Sequence, residues 1–254
     1  MKRRIGCVPY LNARPLIYGL EDEILFEHPV PLAESLHRGR VEIALVPVAE
    51  IFEHPGYRIL DGPCIGSHGE VKSVFLAHQK PLDQLERVAV DFRSKTSALL
   101  VRVLLEQFAG LTPHFAAYEE GREYGPETGV MLIGDQALAF AFSNTTHQLY
   151  DLGSAWKQYT GLPFVYAVWA MPPHFDDEKT FLKLRRAWQD GWAHREQIVA
   201  ADQRFTADFR RRYLTESIRY DLNEDAKKGL ALFYRKTCEM TGTAAESGVF
   251  NSYV

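Results

Sequence analysis

The sequence predicts an α/β protein built on parallel sheet, and the order of its apolar segments carries that prediction. Short continuous apolar runs alternate along the chain with helical patterns. Such runs are typical of strands that are buried on both faces by helices. The 254 residues suffice for one large domain or two small ones, and 46% apolar with 24% charged residues are ordinary globular values.

Four pairs of a strand and a following helix are predicted in chain order. RIGCV leads into a helix over 13–20, EIALVP at 42–47 into VAEIFE, RVAVD at 87–91 into TSALLVRVLLEQF, and GVMLIGD at 129–135 into QALAFAF. From about 177 the chain is predicted to be almost wholly helical, with one apolar stripe formed by Phe181, Leu184, Trp188 and Trp192.

Two further apolar runs are each followed by proline and not by a helix start. They are VKSVFLAH at 71–78 and FVYAVWAM at 164–171, both rich in β-branched and aromatic residues. We interpret them as extended crossover strands that bracket a central block with its own strand-helix units. The predicted division is therefore one discontinuous lobe, 1–79 with 171–254, and an inserted lobe, 80–170.

The composition excludes several classes of partner. A net charge of -4 argues against a general nucleic-acid surface, and the arginine-rich stretch RFTADFRRRYLTESIRY is interpreted as a solvated helix face. The longest apolar run, at 164–171, is far shorter than the roughly 20 residues of a membrane span. The basic start MKRR is followed by polar residues that interrupt any signal-peptide core, so we expect a cytoplasmic location.

The sequence contains no motif that indicates a resident metal or a nucleotide cofactor. Cys7, Cys64 and Cys238 form no C-x-x-C pair, and none of the nine histidines has a two-ligand spacing such as H-E-x-x-H. The chain also lacks a phosphate-binding G-x-x-x-x-G-K-[ST] loop and a G-x-G-x-x-G motif. We therefore expect no metal site and no cofactor.

Unusual polar residues follow the predicted strands at their carboxyl ends, where ligands bind in open parallel sheets. They are Tyr10, Asn12 and Arg14 after the first strand, Ser94, Thr96 and Ser97 before the helix that starts near 98, and Gly134 with Asp135 after the fourth strand. A helix start with exposed donors attracts carboxylate or phosphate groups. The sequence therefore predicts a site for a small anion.

Each of these segments also has a plainer structural interpretation. Ser94 and its neighbours, and Asp135, fit ordinary helix N-caps. Arg14 could bind a carboxylate ligand or pair with a surface acid. Ser73, within an apolar strand, could face a ligand or bond to backbone. The residues alone leave these alternatives open.

Five segments together resemble the chorismate dehydratases of the futalosine route to menaquinone. In chain order and with similar spacing they are IGCVPYLNARPL, GEVKSVFLAH, DFRSKTSALLVRVLL, LIGDQAL and DLGSAWKQYTGLPFVYAVWA, which cover residues 5–170. The resemblance implies the two-lobed fold of type II periplasmic binding proteins with two crossover strands, used inside the cytoplasm as an enzyme. It also implies the division into lobes described above.

The resemblance further implies a reaction and roles for the candidate residues. The reaction is loss of water from chorismate to give 3-[(1-carboxyvinyl)oxy]benzoate by a cofactor-independent carbon-oxygen lyase. Asn12 and Ser73 are implied as catalytic residues, and the S-x-T-S segment as a carboxylate cradle formed by Ser94, Thr96 and Ser97. Arg14, Gly134 and Asp135 are further candidates for binding the substrate.

Two alternatives remain beside this interpretation. One is a small-anion binding or sensor module of the same fold. The other is the sister enzyme that makes 1,4-dihydroxy-6-naphthoate, whose start differs from the YLNARPL of this chain. No oligomeric state is predicted.

Overall fold

Two mixed β-sheets organise the chain in this computed structural model, which describes residues 4–245, 250 and 253–254. Each sheet belongs to one of two units. Unit 1 comprises the described parts of Met1–Gly66, Val165–Lys228 and Glu246–Val254, and unit 2 comprises Ser67–Phe164 and Gly229–Ala245.

The strands and helices alternate through both units. The strands are β1 Ile5–Cys7, β2 Ile24–Phe26, β3 Ile43–Pro47, β4 Arg58–Ser67, β5 Val74–His78, β6 Arg87–Val90, β7 His114–Ala117, β8 Thr128–Ile133, β9 Gln148–Asp151, β10 Phe164–Met171 and β11 Arg219–Asp221. The α-helices are α1 Pro29–His37, α2 Ala49–Glu53, α3 Lys95–Arg102, α4 Gly134–Ser143, α5 Leu152–Thr160, α6 Glu178–Ala193, α7 Arg195–Ala201, α8 Ala207–Arg212 and α9 Glu224–Thr241. Short 3-10 helices cover Leu11–Leu16, Glu21–Glu23 and Leu82–Gln84, and π-helices cover Val103–Phe108 and Tyr213–Ser217.

The sheet of unit 1 has the strand order β11-β4-β10-β3-β1-β2. β1 runs parallel to both β2 and β3, whereas β10 is antiparallel to β3. The carboxyl ends of β1, β2 and β3 therefore lie at one edge of this sheet. Residues that follow β1 are placed at that edge.

The sheet of unit 2 has the order β7-β6-β8-β5-β9. β6 is parallel to β7 and β8, and β5 is antiparallel to β8 and β9. The carboxyl ends of β6, β8 and β9 and the amino end of β5 consequently share one edge. Also in unit 2, the buried rings of Trp156, Phe164 and Phe233 pack edge to face, with centroids 4.8–5.9 Å apart.

The α/β prediction is confirmed, but the sheets are mixed and not wholly parallel. The pairs β3-α2, β6-α3 and β8-α4 occur where the sequence predicted them. The predicted helix over 13–20 is wrong: the chain forms a short 3-10 helix, Leu11–Leu16, that contains Pro15. Proline lacks the backbone N–H that a continuing α-helix needs, so this segment stays short.

The two units divide at other positions than the predicted 79/80 and 170/171. The divisions fall at 66/67 and 164/165, and α9 passes from unit 1 into unit 2 at 228/229. The segment predicted as the first crossover, 71–78, contains β5, which pairs with β8 and β9 inside unit 2. An apolar, β-branched run predicts a buried strand without indicating the sheet in which it pairs.

The carboxyl-terminal part is mainly helical, as predicted. Phe181 and Leu184 of the predicted stripe are buried, but Trp192 is 40% exposed. The interpretation of the arginine-rich stretch as a solvated face is wrong for Arg210, which is buried and donates to the carbonyl oxygens of Val199 and Phe205. Among the described residues, no helix combines the length and the apolar character that crossing a membrane requires.

Candidate functional site

In unit 1 the chain leaves β1 at Cys7 and enters the 3-10 helix that carries Asn12 and Arg14. This helix packs closely against α6. A Cβ atom added at Gly191 would lie 2.1 Å from the carbonyl oxygen of Pro15. The glycine therefore permits a backbone approach that fixes the position of the segment bearing the two candidate residues.

Asn12 is held at one end of its amide. Its Nδ2 atom donates to the hydroxyl of Tyr213 over 3.3 Å. Its Oδ1 atom is buried and accepts no hydrogen bond from any residue that the structure describes. A buried acceptor without a donor is energetically unfavourable and needs an explanation; a ligand that supplies the donor is one such explanation.

Tyr213, the partner of Asn12, was not predicted from the sequence. It begins the π-helix Tyr213–Ser217, is 2% exposed, and stacks on Phe209 with ring centroids 5.9 Å apart. Single π-turns inside helices occur frequently at functional sites. The sequence signal was the aromatic spacing 205, 209, 213, which was interpreted only as one face of a helix.

Arg14 makes no ion pair within the described ranges 4–245, 250 and 253–254. Its guanidinium carbon lies 5.1 Å from the ring centroid of Phe26, the last residue of β2. Of the two interpretations left open by the sequence, pairing with a surface acid is wrong for these residues. A stacked guanidinium without a carboxylate partner is suited to binding a carboxylate ligand.

The thiol of Cys7 interacts electrostatically with the positive charge of Arg14. Burial raises the pKa of the Cys7 thiol to about 12, although the positive charge of Arg14 acts in the opposite direction. A thiol with such a pKa stays protonated at neutral pH and is a poor nucleophile. Cys7 therefore serves as packing beside the candidate residues.

The unit 2 candidates gather at the shared edge of that sheet. Helices α3, α4 and α5 all begin there. Helices α4 and α5 directly follow β8 and β9, and α3 begins a few residues after β6. Ser73 joins them, since it precedes β5, and its carbonyl oxygen accepts from the backbone N–H of Gly134 over 2.7 Å. Three helix N-termini at one edge favour negative charge there.

The start of α3 differs from an ordinary capped helix. Ser94 occupies the N-cap position, as the plainer interpretation predicts, but its side chain makes no capping hydrogen bond. Thr96 and Ser97 lie in the first turn and are buried. The segment thus places hydroxyl groups at the positive end of the helix dipole.

The start of α4 differs from the alternative in which Asp135 is its N-cap residue. Ile133 is the N-cap residue, and Asp135 lies in the first turn, so the interpretation of Asp135 as the cap is wrong. Gly134 has a φ of +59°, a left-handed conformation that favours glycine. The negative charge of Asp135 suits the helix dipole but opposes an anionic ligand at that point.

Asp151 anchors the backbone in front of Ser73, and its role was not predicted. Its carboxylate accepts from the backbone N–H groups of Val71 at 3.1 Å, of Lys72 at 2.8 Å and of Ser154 at 2.8 Å. Burial raises the pKa of Asp151 above its ordinary value, while these donors act in the opposite direction. The segment that it holds includes Lys72, whose φ of +64° is uncommon outside glycine, and leads directly into Ser73, which is 2% exposed.

Replacing Asp151 by alanine is expected to lower the free energy of unfolding by about 2–4 kcal/mol. Loss of the cap of α5 costs about 1 kcal/mol, and leaving the N–H groups of Val71 and Lys72 without an acceptor costs about 1–3 kcal/mol more. Urea denaturation measures the change. Thr206→Ala is the matched control, because Thr206 is an exposed N-cap whose hydroxyl accepts from Phe209 and from no second donor among the described residues. Equal losses in the two variants would contradict an anchoring role for Asp151.

A candidate cation site lies at α2 and its C-cap residue. Glu50, Glu53 and His54 place ligand atoms within 4.8 Å of one another. No metal site was expected from the sequence, because no histidine has a two-ligand spacing such as H-E-x-x-H. Exposed acidic groups are common without an ion, and this cluster is not among the candidate residues predicted from the sequence.

Comparison with known proteins gives a family for this arrangement. A family model described as menaquinone biosynthesis matches residues 3–239. A chorismate dehydratase of Thermus thermophilus is 31% identical in an alignment of length 252 that covers 90% of this chain and 93% of that protein. The residues matched by the family model include the segments that carry Asn12, Ser73 and Ser94–Ser97.

Comparison with solved structures concerns the fold alone. A protein of Archaeoglobus fulgidus has a TM-score of 0.73 at 16% identity, over 94% of this chain and 97% of that one. The periplasmic aliphatic sulphonate binding protein of Escherichia coli has a TM-score of 0.65 at 13% identity, over 99% and 91%. A Candida albicans protein with the generic periplasmic binding protein fold scores 0.63 at 14% identity, over 97% and 92%. The predicted fold class is confirmed.

Proposed function

Since the chain belongs to the menaquinone biosynthesis family, we propose that it removes water from chorismate to give 3-[(1-carboxyvinyl)oxy]benzoate. The observation that carries the proposal is the similarity to a chorismate dehydratase over nine-tenths of the chain. The hydroxyl groups at the start of α3 support it, because chorismate carries carboxylates. The cytoplasmic location expected from the sequence stays part of this proposal.

The reaction requires stabilisation of one developing charge. Removal of the hydrogen on the ether-bearing ring carbon sends an electron pair through the adjacent alkene into the ring carboxylate, which becomes an enediolate. The neighbouring hydroxyl then leaves, and the ring becomes aromatic. Hydrogen-bond donors fixed in place before the reaction stabilise such charge most effectively.

We assign the candidate residues to these tasks within the proposal. The hydroxyl-bearing start of α3, with Ser94, Thr96 and Ser97, binds a carboxylate, and Gly134 contributes backbone at the neighbouring helix start. The guanidinium of Arg14 binds a carboxylate through parallel N–H groups. Asn12 and Ser73 orient the reacting part of the substrate. Asp135, a substrate-binding candidate from the sequence, supports α4 and is the weakest ligand among them.

The base that removes the proton is, in this proposal, the side-chain carboxylate of the substrate itself. Asn12 cannot accept a proton at neutral pH, and its partner in the structure is the phenol of Tyr213 and not a carboxylate or an imidazole. The same carboxyl group then returns the proton to the departing hydroxyl, so that water leaves. A carboxylate or histidine of the protein within hydrogen-bond reach of the reacting carbon, in a complex with a substrate analogue, would contradict this step.

Removal of metal ions is expected to leave turnover unchanged. The proposed steps use proton transfer and hydrogen bonds only, so no Lewis acid is required. The measurement is chorismate consumption before and after dialysis against a chelator. The cluster Glu50, Glu53 and His54 makes the test meaningful, because these groups could hold a cation. A large loss of activity that a divalent ion restores would overturn this part of the proposal.

The function itself is tested by incubating the purified protein with chorismate and following the substrate by liquid chromatography. An enzyme consumes chorismate in proportion to protein and time. A binding or sensor module of the same fold returns chorismate unchanged although calorimetry detects its binding. A protein that leaves chorismate intact but converts the substrate of the 1,4-dihydroxy-6-naphthoate branch would instead be the sister enzyme.

A further inference from the structure

We propose that Tyr213 is a positioning residue that turns the amide of Asn12 so that its carbonyl oxygen, and not its NH2 group, faces the substrate. This inference rests on the proposed function and adds to it a residue and an atom. Both residues belong to unit 1, and they are 201 positions apart in the sequence.

In the structure, the hydrogen bond between the two side chains is made by the amide nitrogen and leaves the carbonyl oxygen available. Nδ2 of Asn12 donates to the Tyr213 hydroxyl over 3.3 Å, whereas Oδ1 is buried and accepts from no residue in the described part of the chain. An amide carbonyl can only accept hydrogen bonds. The group that approaches Oδ1 must therefore be a donor.

Chorismate offers one donor near its reacting carbons. Its carboxylates are ionised at neutral pH and accept hydrogen bonds only, so they do not suit Oδ1. The ring hydroxyl, which is the leaving group, carries an O–H. A hydrogen bond from this O–H to Oδ1 fixes the direction of the carbon-oxygen bond that breaks, while the hydroxyl oxygen stays free to take the proton from the substrate carboxyl.

Tyr213 is itself held firmly enough to act in this way. Its ring is buried and stacks on Phe209 at an interplanar angle of 8°. The residue itself is the first of the π-helix that follows α8. A side chain with two rotatable bonds, packed on both its ring and its backbone, loses little further freedom when it holds Asn12. The wide turn of a π-helix also re-aims the side chain relative to a regular α-helix.

The experiment compares Tyr213→Phe with Tyr220→Phe, alone and in the Asn12→Ala background. Each change removes one hydroxyl from a buried tyrosine of unit 1, and the Tyr220 hydroxyl has no hydrogen-bond partner among the described residues. Tyr213→Phe is expected to lower kcat about tenfold to a hundredfold with little change in KM, the scale of losses caused by small displacements of a positioning group. Tyr220→Phe is expected to keep the parent kcat.

The double variant separates positioning from a general effect on the fold. If Tyr213 acts through Asn12, then Tyr213→Phe is expected to have almost no further effect once Asn12 is alanine, because the coupled pair is already broken. A purely structural role would lower kcat by the same factor in both backgrounds. Inhibition by the product, which lacks the ring hydroxyl, is expected to be the same in the parent and in Tyr213→Phe.

Three outcomes overturn the inference while the parent still dehydrates chorismate. They are a parent-like kcat for Tyr213→Phe, an equal loss in both backgrounds, and a change confined to KM or to product inhibition. Absence of chorismate turnover by the parent protein is a different result. It rejects the proposed function, and the inference falls with it.

Discussion

Replacing Asn12 by alanine is expected to lower kcat for chorismate about a hundredfold to a thousandfold, with a smaller change in KM. Removal of one group that is fixed beside the reacting centre typically costs this much in rate. The hydrogen bond to Tyr213 and the buried Oδ1 atom, which accepts from no residue in the described part of the chain, place Asn12 in that class. Steady-state kinetics on variants that circular dichroism shows to be folded provide the measurement.

Thr96→Ala provides the contrast for this prediction. Thr96 lies in the first turn of α3, and a hydroxyl that holds a carboxylate equally in the ground state and the transition state affects KM more than kcat. Both substitutions are small and lie near the carboxyl end of a strand, so a general loss of folding would affect them alike. If Asn12→Ala turns over chorismate at close to the parent rate, Asn12 is only a turn residue.

Replacing Gly191 by alanine is expected to lower the free energy of unfolding by about 3 kcal/mol, at the upper end of ordinary overpacking. The new Cβ atom would lie 2.1 Å from the carbonyl oxygen of Pro15 and 2.8 Å from its carbonyl carbon. These are backbone atoms, so α6 or the helix Leu11–Leu16 must move. Urea denaturation measures the loss, and we expect kcat to fall as well, because the displaced helix carries Asn12.

Two other glycines serve as controls for Gly191. A methyl group added at Gly56 would have no neighbouring atom within 4 Å, and Gly56 has no left-handed φ, so Gly56→Ala is expected to change stability by less than about 0.5 kcal/mol. Gly229 has the same 2.1 Å clash, but with Pro163 in unit 2. We expect Gly229→Ala to destabilise the protein without lowering kcat of the folded fraction. Equal losses of kcat in Gly191→Ala and Gly229→Ala would contradict a local effect on Asn12.

Features that depend on neighbours in the sequence were predictable. The segments that form β3, β6 and β8 are continuous apolar runs, and the segments that follow them have helical periodicity. A single sequence displays both patterns directly. The placement of Thr96 and Gly134 at one edge of a sheet was also predictable, because each residue comes shortly after the carboxyl end of a predicted strand. The segment VKSVFLAH was correctly predicted to be extended, but its partners β8 and β9 were not predictable from its composition.

Features that depend on distant contacts were not predictable. Tyr213 lies 201 positions from Asn12, and its aromatic spacing with Phe209 predicts only a helix face. Asp151 looks like an ordinary N-cap in DLGSAW, and only the fold brings Val71 and Lys72 to its carboxylate. The positions of such partners depend on how strands pair and helices cross, which propensity and periodicity do not specify.

The most direct test of the account is the mass and structure of the product formed from chorismate by the purified protein. The account predicts a product that has lost one water, keeps the enolpyruvyl ether and carries an aromatic ring, with the parent far faster than Asn12→Ala. Nuclear magnetic resonance of the isolated compound establishes where the ether is attached. Recovery of unchanged chorismate, or a product that has lost pyruvate in place of water, would contradict it.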